Sequence, residues 1–168
     1  GYSESYKLNL PIEDIIKEDD EINGHTWTSI DNNIKQVENI KNKLKEANPE
    51  NSEVYEKNAN AYIEKLKTLK QKYETELVDL KGKKVLALNE SFAYLQRDLG
   101  LDSIEVHTDH EESTMSAETL KNLIEKMKNE NIKIIVVDKD DNIKNAENLA
   151  NETGAKIYKL DSCLSGNM

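Results

Sequence analysis

Apolar positions along this chain follow two different periods, and the change comes at Gly82. From Ile34 onward, Ile34, Val37, Ile40 and Leu44 recur at three- and four-residue steps, which predicts an amphipathic helix. Asn48-Pro49 closes that helix and opens the next, since Asn caps well and Pro suits a first helical position. The second helix carries Tyr55, Ala59, Tyr62, Leu66, Leu69, Tyr73, Leu77 and Leu80 on one stripe and is predicted to continue almost to Gly82. That is long for a globular helix. The stripe is too short and too mixed for a coiled coil, so a helix packed along a domain is expected.

Beyond Gly82 short strands alternate with helices. Val85–Leu88, Ile104–Val106, Ile132–Val137 and Lys156–Leu160 read as strands, the third continuously apolar as for a strand buried on both faces. Between them lie predicted helices over Ser91–Leu99, closed by Gly100, over Ala117–Asn129 with Ser116 as cap, and over Asn142–Glu152, ended near Gly154. Four strands joined by three helices imply an α/β fold with a four-stranded parallel sheet and flanking helices, preceded by a helix pair that includes one long helix. The expected division is an irregular leader over 1–32, interrupted by Pro11 and carrying His25; the helix pair over 33–82; and an α/β lobe over 83–168.

In an open parallel sheet, ligands bind beyond the carboxyl ends of the strands. Here those ends read Asn89-Glu90, His107 with Asp109-His110, Asp138 and Asp161, while His25 stands in Gly24-His25-Thr26-Trp27 ahead of the helix pair. Imidazoles and carboxylates converging at one edge would suit Zn²⁺ or Mn²⁺. Taken singly, each is also what a polar loop would contain, His25 beside Trp27 could be a packing residue, and the run HTDHEE at 107–112 reads as an exposed acidic loop. No nucleophile turn or phosphate-cradling glycine loop is present in the sequence, so an enzyme is not expected. The strand Ile134–Val137 running into Asp138 resembles that of receiver-type signalling domains. However, Asn89-Glu90 is not an acidic pair, and the last strand leads to Asp161 rather than to a lysine.

Composition alters the picture in one respect. With 23 Lys+Arg against 33 Asp+Glu, the net charge of −10 disfavours nucleic acid and favours cationic partners. The single cysteine, Cys163, excludes an internal disulfide without deciding the redox compartment. No apolar run reaches the roughly 18 residues that span a bilayer, and GYSESYKLNL is not a secretory signal; a processed exported protein would look the same.

Taken in order, the segments resemble the second half of the cluster A-I solute-binding proteins of zinc and manganese ABC importers. Asn23-Gly24-His25-Thr26-Trp27 is similar to that family's Asp-Pro-His-x-Trp motif. Ala47–Asn51 through Tyr55–Ala59 and Tyr62 resemble its helix pair, the second helix being the one that joins its two lobes. Asn89-Glu90-Ser91-Phe92-Ala93-Tyr94 with Leu99-Gly100-Leu101 resembles a strand-end motif that begins with His or Glu in the family. Glu112-Ser113, Leu120 and Asn131-Ile132-Lys133 match the next helix and strand, and Glu152–Lys156 running into Leu160-Asp161 resembles the segment bearing the last acidic ligand. The likeness covers roughly residues 20–165.

The resemblance implies half of a two-lobed fold: a carboxyl-terminal lobe with its linker helix, non-catalytic, binding Zn²⁺ or Mn²⁺ and delivering the ion to a membrane ABC permease. It implies an extracytoplasmic, membrane-anchored or cell-surface, adhesin-like parent. His25 and Asp161 would be metal ligands. Asn89 holds the third position with a weaker, uncharged oxygen, and Glu90 beside it could substitute. The family's first lobe, with its own ligating His, would precede residue 1, so the coordination sphere is left open to water, to that lobe or to a second copy. The alternative is a degenerate, metal-free lobe acting as an interaction or oligomerisation module. In either case part of the stripe Tyr62, Leu66, Leu69 and Tyr73 is expected to be uncovered.

Overall fold

The four-stranded parallel sheet is present in a computed structural model that describes residues 15–18, 21–106 and 115–163. A two-residue hairpin, β1 (Lys17–Glu18) and β2 (Glu21–Ile22), comes first, followed by a 3-10 turn over Thr26–Thr28. The helix pair is α1 (Ile30–Ala47) and α2 (Ser52–Glu76). The lobe then runs β3 (Lys84–Ala87), α3 (Ala93–Asp98), β4 (Asp102–Glu105), α4 (Ala117–Asn129), β5 (Ile134–Asp138), α5 (Lys144–Thr153) and β6 (Lys156–Leu160).

Several boundaries differ from the sequence expectation for local reasons. The described part of the leader, expected to be irregular, contains paired backbone, and α1 begins at Ile30 because the Ser29 hydroxyl accepts the Asn32 N–H. α2 stops at Glu76 and continues only as a 3-10 turn over Val78–Leu80. Its buried line is Ala59, Ile63 and Leu66, which follow the i, i+4, i+7 rule. Ile63 thus takes the inward place assigned to Tyr62, and Tyr62 and Leu69 are exposed. The helix pair carries an ion pair at each end, Lys70 on Asp31 at 2.7 Å and Lys45 on Glu56 at 2.7 Å.

Strand order is β4-β3-β5-β6, with every pairing parallel. In β5, Ile135, Val136 and Val137 are buried in succession, as expected for a strand covered on both faces. Leu86, Leu88, Ile135 and Val137 form one cluster with Leu123 and Met127 of α4 and Ala146 and Leu149 of α5. Burying each large side chain contributes about 1.5–3 kcal/mol. α3 lies against β4 and α1, with Tyr94 wholly buried. Gly154, at φ 68°, terminates α5 in the left-handed region where an L side chain would be strained.

β3 connects outward to β4, whereas β5 connects outward to β6 on the other side. The strand order therefore reverses between β3 and β5, and in such a sheet the crevice at their carboxyl ends is the natural ligand position. The segments after these two strands hold Asn89-Glu90 and Asp138–Asn142.

Candidate metal site

The His25 loop is fixed from several sides. The Ile16 N–H donates to the Tyr94 hydroxyl at 3.0 Å, and that hydroxyl donates to the Asn23 carbonyl at 2.8 Å. The Asn23 N–H donates to the Ile16 carbonyl, 3.0 Å, so the leader is closed on itself and pinned to α3. Downstream, the Asn33 side chain donates to the Trp27 carbonyl, Gln36 donates to the Thr26 hydroxyl, and the Trp27 indole N–H donates to the Ser162 carbonyl at 2.8 Å. Trp27 and His25 rings lie 5.2 Å apart, tilted by 55°. The indole bond links the leader to the segment that follows β6.

His25 is partly exposed, and its Nδ1 lies 3.0 Å from Asn23 Oδ1 and 3.9 Å from a Glu90 carboxylate oxygen. Asn23 also donates from Nδ2 to the Glu90 carbonyl, 2.9 Å. Thus the structure brings His25 and Glu90 together, with Asn23 between them. A proton on Nδ1 puts the lone pair of the neutral ring on Nε2, the arrangement typical of ligating histidines.

Asn89 follows β3, where its Oδ1 caps the turn by accepting the Ser91 N–H at 2.8 Å and its Nδ2 donates to Asp141 at 2.8 Å. Both polar atoms are therefore engaged. Asp161 accepts from Lys139 Nζ at 2.8 Å and from the Cys163 N–H at 2.8 Å. The Lys139 hydrogen bond, and next the Cys163 N–H, hold its carboxyl below the usual carboxylate range, while Asp161 raises Lys139. Asp138, at the end of β5, is 4% exposed; one carboxylate oxygen takes the Asp140 N–H, and the other has no hydrogen-bond partner among the described residues.

Among the described residues, no three His, Cys, Asp or Glu side chains stand close enough to share an ion. His107, Asp109 and His110, with the rest of the acidic run 107–112, lie outside the described residues. Sequence reasoning missed Asn23 as a partner of His25, although an Asn two residues ahead of the N–H it accepts is a readable turn signal. It had no signal for Tyr94 or Lys139, whose partners are far away in the chain. A separate cleft of about 500 Å³, between the end of α2 and α3, includes Tyr73, Leu77, Arg97 and Asp98 but none of the expected site residues.

The four-stranded parallel sheet, with the imidazole that the leader brings to Glu90 beyond β3, defines an α/β lobe with a candidate site at its strand ends. The chain belongs to the ZnuA family, described as the periplasmic component A of the zinc-uptake complex, whose model matches residues 4–167. It is 36% identical over 136 residues to the zinc-binding protein AdcA of Streptococcus pyogenes, an alignment covering 81% of this chain and 26% of AdcA. It is 32% identical over 138 residues to the high-affinity zinc uptake system protein ZnuA of Bacillus subtilis, covering 82% of this chain and 43% of that protein. Among solved structures, FpvC of Pseudomonas aeruginosa in complex with Mn²⁺ superposes with a TM-score of 0.75 at 29% identity, over 87% of this chain and 55% of FpvC. The chain thus spans a quarter to about half of these relatives. No helix of the described residues is long and apolar enough to cross a membrane.

Proposed function

We propose that this chain is the divalent-metal-binding carboxyl-terminal lobe, with its linker helix, of an extracytoplasmic solute-binding protein that passes zinc or manganese to an ABC permease. Binding and release, not catalysis, is the role. The observation that carries it is the His25 ring, held through Nδ1 by Asn23 at 3.0 Å. His25 would bind through Nε2 and Asp161 through its carboxylate. Glu90 is the charged candidate for the third place, reached by a change of rotamer, because both polar atoms of Asn89 are engaged. One imidazole with carboxylates suits either Zn²⁺ or Mn²⁺. Binding requires His25 neutral and the acids ionised, and therefore weakens as pH falls.

Calorimetric titration of the metal-free chain with Zn²⁺ and then Mn²⁺, beside His25→Ala and Asp161→Ala, tests this. Saturable one-to-one binding, weakened at least about tenfold by each substitution, is the expected result. Binding indifferent to both residues, or no binding, would overturn it.

A second reading, an interaction module that has lost its ion, is favoured by the helix pair. Ile40 (50%), Leu44 (42%), Tyr62 (52%) and Leu69 (40%) are all substantially exposed. In that case a second copy covers the stripe, and a strict monomer in sedimentation at high concentration would count against it.

A further inference from the structure

We propose that Asn23 is the positioning residue of the candidate metal site: it selects the Nδ1-protonated tautomer of His25 and thereby presents Nε2 as the coordinating nitrogen. This rests on the reading of His25 as a ligand.

The argument is one of donors and acceptors. Asn23 Oδ1 accepts the His25 backbone N–H at 3.0 Å, and a backbone N–H can only donate, so the amide atom at that place is the oxygen. At the other end of the same amide, Nδ2 donates to the Glu90 carbonyl at 2.9 Å, which fixes the orientation independently. The His25 Nδ1, also 3.0 Å from Oδ1, therefore meets an acceptor and must carry a hydrogen. In the neutral ring the lone pair then lies on Nε2. A carboxylate oxygen of Glu90, 3.9 Å from the same Nδ1, favours the same proton position.

Asn23 cannot easily turn away. It is 4% exposed, its N–H is bonded to the Ile16 carbonyl, and its carbonyl is bonded to the Tyr94 hydroxyl. The neutral imidazole of a free histidine prefers its proton on Nε2, the tautomer that cannot coordinate there. Held by Asn23, the ring meets an ion already in the coordinating form, with its plane fixed. An acceptor of this kind, behind a ligating histidine, typically governs about 10–100-fold in metal affinity.

The test reads the ring itself before any metal is added. Nitrogen shifts of His25 are recorded by long-range proton–nitrogen correlation on the ¹⁵N-labelled, metal-free chain, at a pH above the ordinary histidine range. The wild type is expected to show the Nδ1–H tautomer, Asn23→Ala to move towards Nε2–H, and Asn23→Asp, which keeps an acceptor oxygen, to retain Nδ1–H. Zn²⁺ titration should weaken by about tenfold or more in Asn23→Ala and recover in Asn23→Asp. An Nε2–H ring in the wild type overturns the proposal even if Asn23→Ala fails to fold, and so does a tautomer unmoved by Asn23→Ala. A wild type that binds no Zn²⁺ while its tautomer follows Asn23 overturns instead the reading of His25 as a ligand.

Discussion

Tyr94→Phe removes one oxygen and should loosen the whole His25 loop. Tyr94 is wholly buried, and its hydroxyl bridges the Ile16 N–H and the Asn23 carbonyl. Phenylalanine fills the same space but leaves a donor and an acceptor without partners. Each stranded group costs about 1–3 kcal/mol if it stays buried. The leader can, however, lift away and hydrate both groups, so the loss is capped by the free energy of that local opening. The remaining ties, Asn23 N–H to Ile16 and Asn23 Nδ2 to Glu90, still resist it. The expected change in local opening is about 2 kcal/mol, or roughly thirtyfold. Native-state amide exchange reads this directly: protection of Ile16 and His25 should fall, while Ile135 in the central strand should keep its protection apart from any change in global stability. Metal affinity should weaken in parallel, because the ring loses its fixed orientation. Unchanged exchange at Ile16 would refute the claim that this hydroxyl anchors the site.

Ser29→Ala should lower stability by about 1–2 kcal/mol, seen as a reduced urea midpoint, since the hydroxyl both caps α1 and donates to Asp98; a change below about 0.5 kcal/mol would contradict the cap. Asp138→Asn should raise the midpoint, because a buried carboxylate oxygen with no hydrogen-bond partner among the described residues is replaced by a neutral group whose desolvation costs less; a clear loss of stability would show that attraction to Lys139 outweighs that desolvation. Lys139→Met should tighten Zn²⁺ binding a few-fold in calorimetry, as the ammonium now occupying Asp161 no longer competes; weaker binding would refute the competition. The same pair has a pH signature. The depressed Asp161 contributes stability that is present above its unfolded value, about 3.9, and is lost as pH falls through the lower folded value. The raised Lys139 contributes stability present below its unfolded value, about 10.4, and lost as pH rises through the higher folded value. The wild-type and Lys139→Met stability curves should therefore change their separation in those two windows, and only slightly, because both groups are exposed. A difference growing near neutrality would contradict this.

What could be read from the sequence was governed by distance along the chain. Short apolar runs located all four sheet strands to within two residues at either end, because strand burial is written in the strand's own side chains. The Ser116 cap and the Gly154 stop were legible for the same reason. The inward line of α2 was misplaced at Tyr62 because Tyr62 and Ile63 are adjacent on the helix, and only the position of α1 decides which one faces in. His25 and Glu90 could be nominated individually, and the family resemblance placed them at one edge. Their connection through Asn23 was not legible, since it depends on a leader closed onto α3 by Tyr94, 71 residues away. Lys139 on Asp161 was missed likewise: a lysine after a strand carries no mark of the carboxylate it will meet on the next.

The two sides of the candidate site differ in how they are built, and the difference bears on how an ion would enter. The nitrogen side is set in part-buried and buried hydrogen bonds around residues that are themselves buried: Asn23 is 4% exposed and Tyr94 is not exposed at all. The oxygen side lies at the surface, where Asp161 and Lys139 are each paired yet 49% and 39% exposed. An ammonium at the surface returns to water at little cost, so Lys139 is a displaceable occupant, while it keeps the carboxylate ionised. In the proposed site an ion would find a ring held through Nδ1 and an acid already paired with an ammonium. The indole N–H of Trp27 donates to the Ser162 carbonyl at 2.8 Å and so ties the leader to the segment that carries Asp161. Such a division, hydrogen-bonded at the imidazole and exposed at the acid, is what the proposed capture and release of an ion would use.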